Sequence, residues 1–428
     1  MQRTIAFAFC VLALAFVASA RADTKMIYAG TLFAVPGQEP LKEQTIIVKD
    51  GRIAEVRAGF ILPVSGQRVF DLRNQFVLPG LIDCHVHLLG ELGPKRKLEV
   101  TEDSEPYVAL RGAQYAMRTL RVGFTTVRDL GERSDAIFAL RRAIQEGVVA
   151  GPRILAAGSI ISPTGGHGQT YGYRDDINAL FASSGVCDGA DSCRRAVRLQ
   201  VARGADVIKL VATGGVLSDI KAGVDQQFGD DELAAIVQTA HRLGRRVAAH
   251  AHGAAGINAA LRAGVDSIEH GSFLNDESVS LFKKSGAYLV PTVIAGVTAA
   301  AFAKTGNFMS PAQKAKALQV GPLIQQALAR AYAGGVKIAF GTDSGVSAHG
   351  QNAKEFSLMV AAGMPAAEAI KAATVNAADL LELSREVGTI EAGKSADIIA
   401  VGQDPTRDIK TLERVRFVMR AGAVYLGP

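Results

Sequence analysis

The middle of the chain alternates short apolar segments with longer amphipathic ones, and this alternation limits the possible folds more than any other feature. Candidate strands end at His87, Asp129, Ala157, Leu210, His250, His270, Thr292 and Asp343. Helix-like stretches lie between them, for example at 133–147, 230–244, 254–263 and 312–334. Eight strand–helix units over roughly 300 residues are typical of a (β/α)8 TIM barrel with inserted loops. A doubly wound sheet is the alternative, but its Gly-rich phosphate fingerprint is missing after the early strands.

The two ends of the chain differ from this middle. Residues 26–77 consist of short apolar runs separated by turns, and Asp50-Gly51 between two such runs predicts a hairpin. The same character returns from about residue 397. We therefore expect one small β-domain built from both termini, with residues 23–77 and 384–428 contributing to it and residues 78–383 forming the barrel.

The first 22 residues have the features of a secretory signal peptide. They contain two arginines, no acid and an apolar run from Ile5 to Ala18. Small residues place the cleavage after Ala20 or Ala22. The apolar run is short for a membrane span. We expect a protein that is exported to the periplasm or secreted, with no membrane segment in its mature form.

The composition argues against nucleic acid as a partner. The net charge is +6, but Lys and Arg are scattered among acidic residues along the chain. Trp is absent and aromatic residues make up only 6%, so no platform for stacking bases is evident. Hydrophobic residues at 48% and charged residues at 21% instead indicate a globular body with a mildly basic surface.

The cysteines predict one local bridge. Cys84 lies next to His85 in a candidate strand, so its side chain faces the opposite way and should be an inert, packed thiol. Cys187 and Cys193 flank a short polar loop. Because disulfides persist in exported proteins, we expect these two residues to be bridged.

Histidines gather at the ends of the predicted strands, which is where barrel active sites are built. His85 and His87 share one face of a strand, so both imidazoles can reach the same metal. His250, His270 and Asp343 each end a later strand. Any one of them is explained as an ordinary polar residue at a strand end, but together they predict a metal centre. Nitrogen and oxygen ligands suit zinc, with Mn, Co or Fe as alternatives.

Lys209 lies inside a predicted barrel strand, where an unpaired cation would be costly. The pattern of residues leaves two interpretations open. In one, the side chain reaches the rim and pairs with an acid. In the other, burial lowers the pKa of the amine, which then takes up CO2 and becomes a carbamate whose two oxygens bridge two metals.

A long, Gly-rich segment from Ile161 to about Ser192 follows the third predicted strand. It carries His167, Tyr171, Tyr173 and Arg174. Loops of this length are usually functional. We expect either a lid that supplies a phenol or a cation to a substrate carboxylate, or a solvated insertion held by the cysteine pair.

Longer motifs extend along the whole mature chain. They are Leu-Pro-Gly-Leu-Ile-Asp-Cys-His-Val-His at 78–87, Gly-Phe-Thr-Thr-Val-Arg-Asp at 123–129, Ser-Pro-Thr-Gly-Gly-His-Gly at 162–168, Ser-Ile-Glu-His-Gly at 267–271, Gly-Thr-Asp-Ser at 341–344, Ala-Thr-Val-Asn-Ala-Ala at 373–378 and Gly-Thr-Ile-Glu-Ala-Gly-Lys-Ser-Ala-Asp at 388–397. With these motifs the sequence resembles the amidohydrolase superfamily. The resemblance is closest to its imidazolonepropionase-related Xaa-Pro dipeptidase subgroup, which includes carboxypeptidase-like and ochratoxin-hydrolysing members.

The resemblance implies a TIM barrel with a β-sandwich assembled from both termini, in agreement with the strand pattern. It also implies two divalent metals, with zinc as the expected ion, and a carboxylated lysine between them. The implied ligands are His85, His87 and Asp343 for the more buried metal, His250 and His270 for the second, and Lys209 as the bridge.

One local departure narrows the chemistry. Mononuclear deaminases and imidazolonepropionase itself have His-x-x-Glu after the fifth strand. Here His250 is followed by Ala251, His252 and Gly253, so that acid is missing. Ring deamination and imidazolone hydrolysis are therefore disfavoured.

The expected function is hydrolysis of an amide by a metal-activated hydroxide, with release of a C-terminal amino acid from a dipeptide, an N-acyl amino acid or an ochratoxin-like amide. Asp343 is expected to accept the proton of the water and deliver it to the leaving amine. His167, His252 and Tyr171 or Tyr173 are expected to contact the oxyanion or the substrate, and Arg174 its carboxylate. A supporting loop role explains His252 equally well.

Two alternatives remain beside this function. One is a lactonase or cyclic-amide hydrolase with the same metal centre. The other is a non-catalytic relative that serves as an assembly scaffold, which is disfavoured because such scaffolds lose metal ligands and all six positions are filled here. The resemblance further implies a homo-oligomer, such as an octamer.

Overall fold

The computed structural model describes residues 24–65, 67–132, 134–219 and 223–427. The predicted signal peptide lies outside these residues. Within the described ranges, no helix combines the length and the apolar character needed to cross a membrane.

Strands and helices alternate through the middle of the chain, as the sequence predicts. The strands are β1 (Thr24–Leu32), β2 (Leu41–Lys49), β3 (Arg52–Ala58), β4 (Arg68–Pro79), β5 (Leu81–Val86), β6 (Phe124–Asp129), β7 (Arg153–Ala156), β8 (Val207–Val211), β9 (Arg246–Ala251), β10 (Ser267–His270), β11 (Tyr288–Val290), β12 (Lys337–Ile338), β13 (Ile398–Val401), β14 (Val415–Arg420) and β15 (Ala423–Leu426). The helices are α1 (Arg96–Glu102), α2 (Glu105–Arg121), α3 (Ala136–Gln145), α4 (Asp175–Asn178), α5 (Ala190–Ala202), α6 (Asp230–Arg242), α7 (Ala254–Ala263), α8 (Asp276–Ser285), α9 (Val293–Thr305), α10 (Pro311–Ala333), α11 (Lys354–Ala361), α12 (Ala366–Ala372) and α13 (Val375–Leu380).

Strands from both ends of the chain meet in one seven-stranded sheet of order β15-β14-β13-β4-β1-β2-β3. At its centre, β4 pairs in parallel with β1 and antiparallel with β13, where Pro79 lies opposite Ile398. One side of this sheet buries an apolar cluster that includes Ile27, Ile46 and Phe417. The pairing gives a single sheet and does not divide it into the two layers of a sandwich, so that part of the expectation stays a prediction.

The remaining strands are parallel and form two sheets, of order β5-β6-β7 and β12-β11-β10-β9-β8. Every residue of β5 and of β8 is buried, which explains why both segments are mainly apolar and why Asp83, His85 and Lys209 stand out within them. Single parallel bridges link the sheets, between Ile161 and Leu210 and between Val86 and Ser344. The sheet order establishes a mixed α/β fold. Closure into a barrel and the domain bounds stay predictions.

Local sequence signals fix the ends of the connecting helices, and α8 is an example. Asn275 accepts a hydrogen bond from the backbone N–H of Ser278 at 2.9 Å, and the Ser278 hydroxyl accepts one from the N–H of Asn275. This capping box satisfies two amides of the first turn. The helix ends at Gly286, whose φ of +74° favours glycine. The helix therefore returns the chain from β10 to β11.

Most predicted strand ends lie close to the observed ones, but three of them lie in the loops beyond the observed strands. His87 follows the end of β5 directly, Thr292 lies two residues beyond β11, and Asp343 lies five beyond β12. The site therefore draws on the first residues of the loops as well as on the strands themselves.

Candidate metal centre

All six predicted metal ligands line one cavity of about 530 Å³ at the carboxyl ends of the parallel strands. His85, Lys209, His250 and His270 belong to strands, whereas His87 and Asp343 belong to the loops that follow strands. Because parallel strands bring their carboxyl ends to one edge, residues far apart in sequence converge there. The structure thus brings together the whole predicted set.

His85, His87 and Asp343 form the first group, with possible ligand atoms within 4.8 Å of one another. The Nε2 atoms of His85 and His87 lie 3.6 and 3.3 Å from Oδ1 of Asp343. Each Nδ1 faces an oxygen, Glu269 Oε2 at 2.8 Å for His85 and Gly131 O at 2.9 Å for His87. These oxygens only accept, so Nδ1 donates in both rings and Nε2 is the nitrogen that can face a metal.

His250, His252 and His270 form the second group, again within 4.8 Å of one another. The Thr292 hydroxyl donates to its neighbour's carbonyl and so accepts from Nδ1 of His270 at 2.7 Å, which leaves Nε2 of His270 free for a metal. His252 Nδ1 lies 2.7 Å from the Ser272 hydroxyl. The structure therefore places His252 within reach of a metal beside the two predicted ligands.

Lys209 lines the same cavity as the two groups, interacts electrostatically with His85 of the first and His270 of the second, and is only 3% exposed. Its Nζ has no hydrogen-bond partner among the residues that the structure describes. Burial lowers the pKa of this amine to about 8. A buried ammonium without a partner is costly, so the position requires a neutral amine or an added group that supplies compensation. The donor set and this unpartnered amine fit a two-metal site with a carboxylated lysine.

The histidines of the cavity differ in charge. Burial lowers the pKa of His85 to about 4 and that of His252 to about 3, so both rings are neutral at neutral pH. Burial also acts on His87, but the hydrogen bond and the charge of Asp343 outweigh it and raise the pKa of His87 to about 9. Metal ligation needs neutral imidazoles. His87 is therefore the ligand that would exchange a proton for a metal.

The sequence analysis missed two residues, Glu269 and Arg128, that support His85 on the Nδ1 side of its ring. Glu269 is fully buried, and its Oε1 accepts from Nη2 of Arg128 at 2.9 Å and from the Ser267 hydroxyl at 2.6 Å. Arg128 also donates from Nε to the carbonyl of Cys84. The sequence contains a signal for this pair: an arginine and a glutamate each lie inside a buried strand, and charged residues are rarely buried there unless they are paired.

A third missed residue, Asp83, joins the two segments that carry the first group. Its Oδ1 accepts from the backbone N–H groups of His85 and Thr342, both at 3.1 Å. Its Oδ2 accepts from the Thr342 hydroxyl at 2.6 Å and from the Asn352 amide at 2.8 Å. Asp83 thereby fixes the spacing between the His-x-His strand and Asp343.

Three residues at the site have a left-handed backbone that is unusual for residues other than glycine. The φ angles are +72° at His270, +52° at Thr292 and +55° at Asp343. Such conformations cost about 1–3 kcal/mol each and are found mainly at functional sites. The unfavourable backbone conformation thus occurs at His270 and Asp343, whose side chains line the cavity.

The predicted substrate residues divide into two sets. His167, Tyr171 and Tyr173 line the cavity. The His167 ring lies 4.3 Å from that of His250, and its Nδ1 lies 2.6 Å from the Ser218 hydroxyl. Arg174 lies elsewhere: its side chain is 76% exposed and is ion-paired with the neighbouring Asp176. The structure thus does not place Arg174 at the cavity.

The cavity wall contains cations that the sequence analysis did not select. Arg96 and Lys97 of α1 line it, and Nζ of Lys97 lies 3.5 Å from a carboxylate oxygen of Asp219. The Tyr173 hydroxyl donates to the carbonyl of Lys97 at 2.5 Å. Helix α1 therefore supplies the cations of the cavity wall, a role that the sequence analysis expected of Arg174.

The Gly-rich loop is held by the expected disulfide. Cys187 and Cys193 are bridged, with their Cα atoms 4.9 Å apart, and the bridge joins the loop to the first turn of α5. Cys84 is a free, buried thiol, as predicted.

Comparison with known proteins identifies the family. The model described as "Amidohydrolase family" matches residues 76–425. The ochratoxinase of Aspergillus niger is 34% identical over 433 residues, which cover 95% of this chain and 88% of that protein. The crystal structure of a Xaa-Pro dipeptidase with methionine bound in its active site has a TM-score of 0.88 and 41% identity, covering 94% of this chain and 100% of that chain. A prolidase complexed with N-methylphosphonate-L-proline has a TM-score of 0.85 and 30% identity, covering 94% and 99%.

These similarities extend over the strands, the loops and the cavity described above. The chain has the mixed α/β fold of these solved structures, and the matched range contains all six predicted ligands. The chain is therefore a hydrolase that belongs to the Amidohydrolase family.

Proposed function

We propose that the protein is a binuclear metal-dependent amidohydrolase that cleaves an amide bond and releases a C-terminal amino acid. The substrate class is a dipeptide, an N-acyl amino acid or an ochratoxin-like amide. One observation carries the proposal: two groups of three ligand-capable side chains share a single cavity with the buried, unpartnered Lys209.

In this proposal the metals are two zinc ions. His85, His87 and Asp343 would hold one ion, His250 and His270 would hold the other, and a carbamate on Lys209 would serve as a ligand of both. Neutral imidazoles and carboxylate oxygens are ligands that zinc prefers. When bound, the metals supply a water of lowered pKa and a Lewis acid for the substrate carbonyl.

The chain's own residues carry the proton transfers. Burial alone would raise the pKa of Asp343, but its interactions with the imidazoles of His85 and His87 hold it below its usual value. Asp343 is therefore ionised at neutral pH and can take a proton from water and pass it to the leaving amine. His167 and His252 are neutral donors on the cavity wall that suit the developing negative charge on the carbonyl oxygen.

The relatives support the choice of leaving group. Methionine is bound in the active site of the Xaa-Pro dipeptidase, and the prolidase is complexed with N-methylphosphonate-L-proline. Both contain an amino acid with a free α-carboxylate. In this chain the candidate donors for such a carboxylate are Arg96 and Lys97, which line the same cavity. The hydroxyls of Tyr171 and Tyr173, expected from the sequence to contact the substrate, already donate to the carbonyls of Gly166 and Lys97.

The test compares an N-acyl amino acid with its methyl ester and its carboxamide, using the wild-type enzyme with zinc. Loss of the carboxylate charge is expected to lower kcat/KM by at least about tenfold, since a charge-assisted hydrogen bond contributes roughly 1.5–3 kcal/mol. Equal rates for the acid and the ester would favour a lactonase or cyclic-amide hydrolase instead. Bound metal without turnover of any amide would favour a scaffold.

We also propose the finer architecture and context. The two parallel sheets close into a (β/α)8 barrel, which the single bridges at Ile161–Leu210 and Val86–Ser344 support. The seven-stranded sheet folds into a β-sandwich. The protein is exported after cleavage near Ala20 or Ala22, and it assembles as a homo-oligomer.

A further inference from the structure

One wall of the cavity is an apolar surface that the metal chemistry does not use. We define it as the apolar lobe: Val216, Leu217, Ala299, Phe308, Met309 and Ala317. All six line the cavity and belong to one small hydrophobic cluster, and Val216 also packs against the main core. Val216, Leu217 and Phe308 are partly buried, whereas Ala299, Met309 and Ala317 are buried at the base of the lobe.

The lobe is built by a pair of helices that approach closely. A Cβ atom at Gly321 of α10 would lie 2.8 Å from the carbonyl oxygen of Gly296 in α9, so only glycine permits this separation. Ala299 and Ala317 lie on the same two helices. Their small side chains leave space beside the metal ligands where larger ones would fill it.

The backbone behind the lobe is already satisfied by protein groups. Gln313 donates from Nε2 to the carbonyl of Leu217 at 2.6 Å, and Lys316 donates from Nζ to the carbonyl of Ser218 at 2.8 Å. These bonds turn the polar ends of α10 side chains toward the backbone of the 216–218 segment. The lobe therefore presents apolar surface to a ligand rather than free polar groups.

We infer that the apolar lobe binds a bulky apolar or aromatic acyl group of the substrate, and that Ala299 sets the largest group admitted. This inference rests on the proposed function. The leaving half of the proposed substrate carries a carboxylate, and burying a carboxylate against apolar side chains without a partner is costly. The acyl half is the part that can occupy the lobe without this cost.

The test uses a series with one leaving amino acid and an acyl group that grows from acetyl to hexanoyl, benzoyl and 2-naphthoyl. For the wild type, kcat/KM is expected to rise along the series, mainly through KM. In Ala299→Leu, the naphthoyl-to-acetyl ratio of kcat/KM should fall at least tenfold, within the roughly 10–200-fold range that one or two methylene-sized changes in a pocket produce.

Two further variants complete the test: one is a matched control, and the other does not depend on whether Ala299→Leu folds. Ala301→Leu makes the same change on the exposed face of α9, away from the cavity, and should leave the ratio at its wild-type value. Phe308→Ala removes an aromatic wall from a loop rather than filling a helix contact, and should lower the ratio even if Ala299→Leu fails to fold.

Each outcome separates the two proposals. If the wild type hydrolyses none of the series, the proposed function fails. If it hydrolyses the series but the ratio is unchanged in both Ala299→Leu and Phe308→Ala, the proposed function stands and the inference about the lobe is wrong. A second series, with one acyl group and growing leaving side chains, also overturns the inference if Ala299→Leu alters that series instead.

Discussion

Oε2 of Glu269 accepts a hydrogen bond from Nδ1 of His85 at 2.8 Å, while Oε1 of the same carboxylate accepts from Arg128. Burial would raise the pKa of Glu269, but Arg128 and His85 outweigh burial and lower it to about 2, so the group is anionic. An anion behind a metal-binding imidazole fixes the tautomer and increases the basicity of the ligating nitrogen. Arg128 holds that anion in place from β6, the strand beside that of His85.

The first prediction follows from this pair. Glu269→Gln should weaken metal binding about 10–100-fold, the usual effect of losing such a partner. It should also destabilise the fold, on the order of 3–5 kcal/mol, because the buried guanidinium of Arg128 loses its counter-charge. Metal titration and denaturant unfolding measure the two effects. Glu277→Gln, an exposed acid paired with exposed Arg262, is the matched control, and unchanged metal affinity in Glu269→Gln would contradict the assigned role.

The second prediction concerns Lys209. Lys209→Ala should lower metal affinity on the order of 100-fold or more, because it removes the proposed bridging ligand. This loss is at or beyond the upper end of the effect of removing a residue that only hydrogen-bonds to a ligand. A short carboxylic acid such as propionate should restore part of the metal content and part of the activity, since its oxygens can replace those of a carbamate. Exposed Lys283→Ala is the control. Wild-type metal content in Lys209→Ala would make Lys209 a structural residue.

The third prediction concerns Asp343. Asp343→Asn should fold and keep part of its metal but lose kcat by about 100-fold or more, because an amide cannot accept and return the proton. Steady-state kinetics on protein of measured metal content tests this. Near-normal kcat would move the proton transfer to another group, and His252 in the second group would be tested next.

The fourth prediction concerns the number of metals. Protein purified without chelator should contain about two divalent ions per chain, because two separate groups each offer three ligand atoms within 4.8 Å. Elemental analysis gives the count. Chelator should remove activity and added zinc should restore it. One ion per chain at full activity would show that only one group is used.

Much of the site was predictable because its residues stand at the ends of alternating strands. His85, His87, His250 and His270 could be placed in one cavity as soon as the strands were taken as parallel, since parallel strands bring their ends together. Lys209 was recognisable because a lysine in a buried strand needs an explanation. These inferences require only local sequence.

The supporting residues could not be found in the same way. Glu269 reaches His85 across 184 positions, and Asp83 reaches Thr342 across 259. No spacing within one segment reveals such a pair. The prediction for Arg174 was wrong for a different reason. The course of the loop brings its side chain to the surface, where it pairs with an acid two positions further along the chain.

The position of β4 has a consequence for how the chain is made. Pro79 of β4 lies opposite Ile398 of β13, so two residues that are 319 positions apart in the sequence are neighbours in the sheet. During synthesis, β4 can pair early with β1. Its other edge stays unpaired until β13 has been synthesised and has left the ribosome. Contacts this distant slow folding, and an open strand edge can pair with a second chain. Because only Gly80 separates β4 from β5, the last strands to emerge complete the support beneath the His-x-His segment.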